Sequence, residues 1–513
     1  MRVQSAANAC NVNNNGNANN WNASNVIGVR PDFATAHTFT GYDPACGYEK
    51  GGSILPAAFA GKCQSQPPAV TTVWLSCGFV MSVFFDANVI YDAGSKAMKS
   101  SKFKKSTQLF EMNQLLITAE IWRDLRAGQY KPGPGNKFPI NERGHLRYIT
   151  SNVMADKAVN HILCDEVLTP AITKYLIHNN GASQKGKGVS FHRREFEKCL
   201  HRHFLRYGTN DGYILLVDFS GYYANIPHDK CMAVLFHFLE REVWDEMTLL
   251  VAKYLIREIF KTFEVDVSRF SDEEIMAMMH GKVDPMLNAN IPPGQLPGLK
   301  KLRKGVDIGS QPSQNIGIVY PYRLDNFAKI VCGIKGYGRY TDDFFAIDKS
   351  REFLREVLQG FHRVADEYGL IINPRKTRIV KLSSEFRHLQ ISYALTETGR
   401  VVRKISPKNI TRERRKLKAY KRLLDAGKID YMTVENSFKS WIGGHWKTMS
   451  HIQIYNMSNL YFDLFRRKPK WKKGHSRLCW LMAHPPKTCV RTETTLSARP
   501  KSPPKCLPET CPR

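Results

Sequence analysis

Apolar residues along this chain repeat with two periods, and each period predicts an element where it holds. Residues 213–217 (YILLV) are a continuous apolar run of the length and type of a buried strand, closed by Asp218. Pro227 then stands where a helix can begin, and Met232, Ala233, Leu235, Phe236 and Leu239 recur at helical spacing. Farther on, residues 337–340 and 344–347 read as two short strands, making Asp342-Asp343 the hairpin turn between them. This dense alternation of strand-like and helical segments over residues 106–400 predicts an α+β fold. Residues 401–465 are basic with a helical period, opening at Ser406-Pro407, an N-cap and a first-turn proline.

The flanks lack either period. Residues 1–105 are rich in Asn, Ala, Gly and Ser, with few charges, and are expected to lie outside the fold. Residues 466–513 are basic and Pro-rich and read as a disordered tail, a possible phosphate-binding arm. The uncharged run at 71–85 is shorter than the roughly 18 apolar residues of a membrane span, so a buried element is expected there rather than an anchor. The first thirty residues are polar and carry no signal-peptide pattern. Twelve cysteines are scattered, with only Cys506 and Cys511 close together, which suits a reducing cytoplasm.

Charge narrows the partners. Lys and Arg total 75 against 46 Asp and Glu, a net charge of +29. Such an excess points to a polyanion, most simply nucleic acid, because each neutralised phosphate releases counterions. Against that background the adjacent Asp342 and Asp343 stand out, since neighbouring carboxylates repel and resist burial. A solvated turn would be a bland explanation. Asp218, at the end of its own strand, supplies a third carboxylate that can converge on the same spot. Three carboxylates among so many cations read as a site for two Mg²⁺ ions, held roughly 3.5–4 Å apart by hard oxygen donors.

The residues around these acids carry a resemblance. "YTDD" with apolar flanks resembles the Tyr-x-Asp-Asp box of reverse transcriptases, and "DFSGYYANIPH" their first catalytic strand. Residues 140–172 resemble the fingers segments, 368–379 ("YGLIINPRKTRI") the following palm box, and 437–448 a thumb element. A lone four-residue box is weak, but several in order are specific. The resemblance covers residues 106–465 and implies a right-hand polymerase with fingers and palm at 106–400 and a helical thumb at 401–465.

It also implies roles. Asp218, Asp342 and Asp343 would hold the metals, with the backbone carbonyl of Phe219. Arg147 would hold the incoming triphosphate, Lys376 would protonate the leaving pyrophosphate, and Tyr223 would be the gate that excludes a ribose 2′-hydroxyl. The "FLG" element expected near the thumb reads "FRHLQISYAL" here.

A subtype is suggested by residues 308–314, which read Ile-Gly-Ser-Gln-Pro-Ser-Gln where most bacterial relatives carry Gln-Gly-x-x-x-Ser-Pro. This form resembles the enzymes of diversity-generating retroelements. Ile308 and Gln314 would line the nucleotide pocket, and an aliphatic residue in place of glutamine removes a hydrogen-bonding group beside the new base pair. Residues 181–187 fit GxxxxGK, but Gly188 stands where Ser or Thr should follow, which disfavours nucleotide hydrolysis. Lys185 and Lys187, with His192, Arg193 and Arg194, read instead as contacts to an RNA or hybrid backbone.

Ten of residues 8–25 are Asn. The stretch resembles the variable end of the lectin-fold proteins such elements diversify. Asn codons, AA plus a pyrimidine, never become stop codons when either adenine changes, so the segment reads as translated template repeat. The resemblance then implies a template-repeat RNA, its cDNA and a small basic accessory variability protein as partners. Two rivals are a retron, group II intron or phage-defence reverse transcriptase, and a lectin-like module fused to a polymerase-like RNA binder. The second requires residues 1–105 to fold alone.

Overall fold

The computed structural model describes residues 82–99, 101–142, 145–281, 287–288, 291, 295–471 and 476–485. The Asn-rich stretch, residues 71–81 of the apolar run and residues 486–513 of the tail lie outside them. The described chain mixes helices with antiparallel sheets, the α+β class expected from the alternating pattern. It divides into two compact units: one runs to Ser383 and also takes Glu397–Gly399, and the other holds Ser384–Thr396 and everything from Arg400 on.

The first unit opens its strands with an antiparallel hairpin, β1 (Asn136–Glu142) and β2 (His145–Ser151). Next comes β3 (Tyr213–Val217), whose bounds are those of the apolar run. Two short strands, β4 (Val265–Asp266) and β5 (Lys301–Leu302), pair with each other. β6 (Gly336–Tyr340), β7 (Asp343–Asp348) and β8 (Arg378–Lys381) complete a four-stranded sheet in the order β6-β7-β3-β8. Strand alternation sends neighbouring side chains to opposite faces. Phe344 meets Phe361 of the helix Arg351–Glu367, while Phe345 meets Phe196 of the helix Val189–Tyr207. Both faces are therefore covered, which is why β3 is apolar throughout instead of alternating. The helix His228–Glu242 follows Pro227 as its pattern predicts, burying Met232, Leu235 and Leu239.

The core starts earlier than the composition implies. Phe84 and Phe85 in the turn Val83–Phe85, and Ile90 and Ala93 in the helix Ala87–Met98, belong to the main core. Ser82 bonds Thr248 side chain to side chain at 2.8 Å, and Trp122 Nε1 donates to the Phe85 carbonyl at 2.8 Å. The expected boundary at residue 106 is thus too late. Sparse charge here marks burial, not absence of structure. These residues pack into cores shared with later elements, so residues 82–105 do not meet the requirement of the lectin-module rival.

The second unit carries β9 (Phe386–His388), β10 (Ile391–Leu395) and β11 (Val401–Ile405) in the order β11-β10-β9. Its helices include Pro407–Asp425, Tyr431–His445 and His451–Phe465 around Leu417, Phe438, Ile442, Ile454 and Tyr461. The tail contributes as well: the helix Ser476–Ala483 buries Leu478 and Met482 in this core. That corrects the expectation of a tail disordered from 466, because the apolar residues in "LCWLM" (478–482) offset the surrounding basic composition.

Glu413 is buried in this unit with Oε1 unbonded, and its nearest cation, Lys416 Nζ, is 3.9 Å away. Burial pushes its carboxyl up from 4.5 to about 7. A raised folded value means the neutral acid stabilises the fold fully below 4.5, and that this contribution is lost as pH rises through about 7. Glu413→Gln should therefore be near neutral at pH 5 and should stabilise at pH 8 by on the order of 3 kcal/mol. Thermal unfolding at the two pH values measures this, and equal melting temperatures at pH 8 would count against a strained carboxylate.

Candidate active site

The three carboxylates come from two sheet strands. Asp218 is the residue after β3, and Asp343 is the first of β7, paired with Tyr340. The hairpin turn is therefore Thr341-Asp342, not the Asp pair, because Asp343 already belongs to a strand. Thr341 has φ +53°, a left-handed conformation that a β-branched residue rarely adopts and that stores about 1–3 kcal/mol. Antiparallel pairing of Val217 with Phe344 sets the end of β3 against the start of β7, bringing Asp218 up to the turn.

All three side chains are half-buried. Burial is the main influence raising Asp342, with the charge of Asp218 adding to it and Arg147 and Lys376 opposing it. Asp343 is pushed up to about 7 by burial, then by Asp342 and Asp218. Two buried carboxylates that the charge of Asp218 raises further, with Lys376 opposing both, are the electrostatic signature of an acid cluster built to receive positive charge. Lys376 Nζ supplies some of it, lying 3.1 Å from Asp218 Oδ2. As the side chains stand, no three His, Cys, Asp or Glu among the described residues are drawn together tightly enough to hold a metal. The donors fit a hard divalent cation in kind, and their mutual repulsion is what such an ion would relieve.

Other expected residues gather here too. Arg147, on β2, is near enough to Asp342 to oppose its protonation. Tyr223 feels the charges of Asp342 and Asp307, and its hydroxyl rests against Gly317, where a Cβ would come within 2.3 Å. Phe219 is buried and its backbone bridges Ile372. The Ile308 carbonyl accepts from Thr150 N at 2.9 Å, joining its box to the fingers-like hairpin. Gly309 permits this approach, since at φ +127° any Cβ would meet the Thr150 carbonyl at 2.7 Å. Gln314 is exposed on the helix Gln311–Val319.

The loop at 181–187 sits on the other side of β6. Lys185 and Arg194 are exposed and Arg193 is half-buried. Lys187 donates to the His178 carbonyl at 3.0 Å, and burial lowers its pKa. His192 is not a backbone contact: it is buried edge-on to Tyr340 and Phe345, and burial holds its pKa near 4. Its helix turns His192, Phe196 and Cys199 to the same inner face, a placement that the basic neighbours Arg193 and Arg194 conceal.

Several residues escaped sequence reasoning. Asn373 N donates to the Asp218 carbonyl at 2.8 Å, and Thr377 Oγ1 accepts from Asp218 N at 3.4 Å. The Asn-Pro step at 373–374, three residues before Lys376, was the available turn signal. Asp307, raised by burial, accepts from the Ser310 and Ser313 hydroxyls.

The chain belongs to the reverse transcriptase (RNA-dependent DNA polymerase) family, whose model matches residues 131–393. No curated protein matches it. Among solved structures it is similar to telomerase from Candida albicans in complex with a TWJ fragment of telomeric RNA, at 13% identity, 69% coverage of this chain and TM-score 0.38. The chain spans 62% of that telomerase. The corresponding Candida tropicalis complex gives 12% identity, 69% and 61% coverage and TM-score 0.35. Apo telomerase from the same species, truncated from its C-terminal domain, gives 14% identity, 52% and 54% coverage and TM-score 0.33. No helix among the described residues is long and apolar enough to cross a membrane.

Proposed function

We propose that this chain is an RNA-directed DNA polymerase that copies a template-repeat RNA into error-rich cDNA for diversification of a target gene. The polymerase reading is carried by one observation: Asp218, Asp342 and Asp343 converge at a strained hairpin beside Arg147 and Lys376, inside a family match that spans them. The first unit, from residue 82 to 383, would supply fingers and palm, and the helices of the second unit the thumb.

The three aspartates and the Phe219 carbonyl would hold the metal ions, two Mg²⁺ by the kind of donor present. Such ions, when bound, activate an attacking oxygen and stabilise a leaving one. The remaining roles fall to this chain's own side chains. Arg147 is placed to hold the triphosphate of an incoming nucleotide. Lys376, paired with Asp218, would protonate the leaving pyrophosphate. The Tyr223 ring closes the sugar side of the pocket. Lys185, Lys187, Arg193 and Arg194 would track the nucleic-acid backbone, and a small basic accessory protein completes the assembly.

The diversity-generating reading rests on Ile308, which is half-exposed beside β2 in the box read as lining the nascent pair. An aliphatic side chain discriminates by shape alone, worth about 1–3 kcal/mol between similar ligands. Misincorporation opposite template adenine should be high in the native enzyme and lower in Ile308→Gln, with metal-dependent synthesis retained in both. Sequencing cDNA made by both forms on one adenine-containing RNA measures this. Equal adenine spectra would remove Ile308 as the cause, and a faithful native enzyme would leave an ordinary reverse transcriptase of the retron or intron kind.

A further inference from the structure

We propose that Arg339 is a positioning residue that fixes the Thr341-Asp342 turn against the helix Gln311–Val319, and thereby sets how tightly the carboxylates bind metal. The proposal rests on the polymerase reading but concerns a residue that reading does not use.

Arg339 lies on β6, three positions before Asp342, and is wholly buried with its partner Asp325 at 2% exposure. Its Nε donates to both Asp325 oxygens at 2.9 Å, and Nη2 lies 2.8 Å from Oδ2. Tyr337, two residues earlier on the same strand face, donates its hydroxyl to Asp325 Oδ1 at 2.8 Å. Two further donors reach backbone carbonyls: Nη2 bonds Ile318 O, and Nη1 bonds Thr341 O at 3.4 Å. The first acceptor is in the last turn of the helix that begins at Gln311, inside the Ile308 box. The second belongs to the one residue of the hairpin with a left-handed backbone.

A guanidinium is a rigid planar fork, so bonding both carbonyls fixes their separation. Its own backbone is clamped from the sheet edge, where Arg339 N donates to Asn179 O at 3.2 Å and Gly181 N donates to Arg339 O at 3.1 Å. The Phe344 ring packs beneath it, 5.6 Å from the guanidinium carbon. Stability alone does not require this arrangement, since buried ion pairs are often matched or bettered by apolar side chains of similar volume. A purely stabilising pair could therefore be exchanged for an apolar one without effect on the hairpin. A positioning pair could not, because the Thr341 carbonyl would lose its donor and the turn its anchor.

The test is the double variant Arg339→Met/Asp325→Leu, which removes both charges together, alongside Arg339→Lys, which keeps charge without the fork. Mn²⁺ binding by electron paramagnetic resonance, half-activating Mg²⁺ and kcat are measured with melting temperature. The double variant also leaves the buried Tyr337 hydroxyl unpaired, so it should melt lower than the native protein; while still folded at the assay temperature it should bind Mn²⁺ more weakly and need more Mg²⁺. Its kcat should fall by on the order of 10–100-fold, the usual effect of an ångström-scale misplacement. Affinity for the primer–template should be unchanged. A double variant with native Mn²⁺ affinity and Mg²⁺ profile would overturn the proposal. Should it fail to fold, Arg339→Lys decides by the same metal readouts: weakened binding supports positioning and native binding refutes it. A native protein that binds Mn²⁺ but makes no DNA would defeat the polymerase reading instead, leaving the metal comparison intact.

Discussion

Asp342→Asn should abolish DNA synthesis while leaving the fold at least as stable as before. Asp342 occupies the hairpin tip, raised by burial and by the charge of Asp218, so its ionised form is held against repulsion. Asparagine keeps the shape and removes one of the charges that a divalent ion would neutralise. Synthesis should fall by at least about a thousandfold, equivalent to roughly 4 kcal/mol of barrier. The charge that hurts activity when removed is a burden to the metal-free fold. A carboxyl whose folded pKa is raised stabilises below its unfolded value of 3.8, and that contribution fades as pH rises. At pH 8 the variant should therefore melt no lower than the native protein. It should also lower Asp343, now pushed up to about 7 by burial and then by Asp342 and Asp218, by the part that Asp342 contributes. Added Mg²⁺ should raise the melting temperature of the native protein more than that of the variant. Near-normal nucleotide incorporation by Asp342→Asn, with Mg²⁺ supplied, would mean that the acid pair is only a solvated turn.

How far the sequence disclosed this site depended on which residues act through their side chains alone. Asp218 and Asp343 were legible because each interrupts an apolar run at a strand end, and that interruption survives in one dimension. β3 and the helix after Pro227 were legible for the same reason, through continuous and 3.6-residue periods. The anchors were not. Arg339 reads as one more cation in a basic chain, and only folding reveals that it meets Asp325 with no solvent access. Asn373 serves through its backbone amide, which every residue possesses. His192 is hidden in the sequence by its arginine neighbours, although the helix sends it inward to Tyr340. Composition failed most plainly at the ends. The uncharged residues before 106 and the apolar "LCWLM" in a basic tail were averaged into their surroundings, where a few buried side chains decide whether a segment packs.

A chain shortened to begin at Met98 should fail to fold, although the low charge of residues 1–97 makes them look dispensable. Phe84 is 0% exposed, Ile90 1% and Ala93 3%, all within the main core beside Ile121, Leu125 and Val251. Truncating one buried phenylalanine to alanine costs about 3–5 kcal/mol, and isoleucine about 2–5. Deleting Phe84, Phe85 and Ile90 together would cost about 8–15 kcal/mol, as much as the roughly 5–15 kcal/mol that holds a typical domain folded. The loss is polar as well. Trp122 would lose its acceptor at Phe85 O, Thr248 its partner Ser82, and Gln114 the Tyr91 carbonyl that its amide bonds at 2.8 Å. Each would leave a buried or half-buried group unsatisfied, adding to the penalty. A chain beginning at Met81 keeps all of these contacts and should fold, melt as the full chain does, and retain metal-dependent synthesis. Expression of the two truncated chains side by side, followed by thermal melting and primer extension, separates the cases. A soluble, active protein from the Met98 start would show that the helix Ala87–Met98 only rests on the core. Failure of the Met81 chain as well would show that residues 1–80 are needed for folding, whatever their composition suggests.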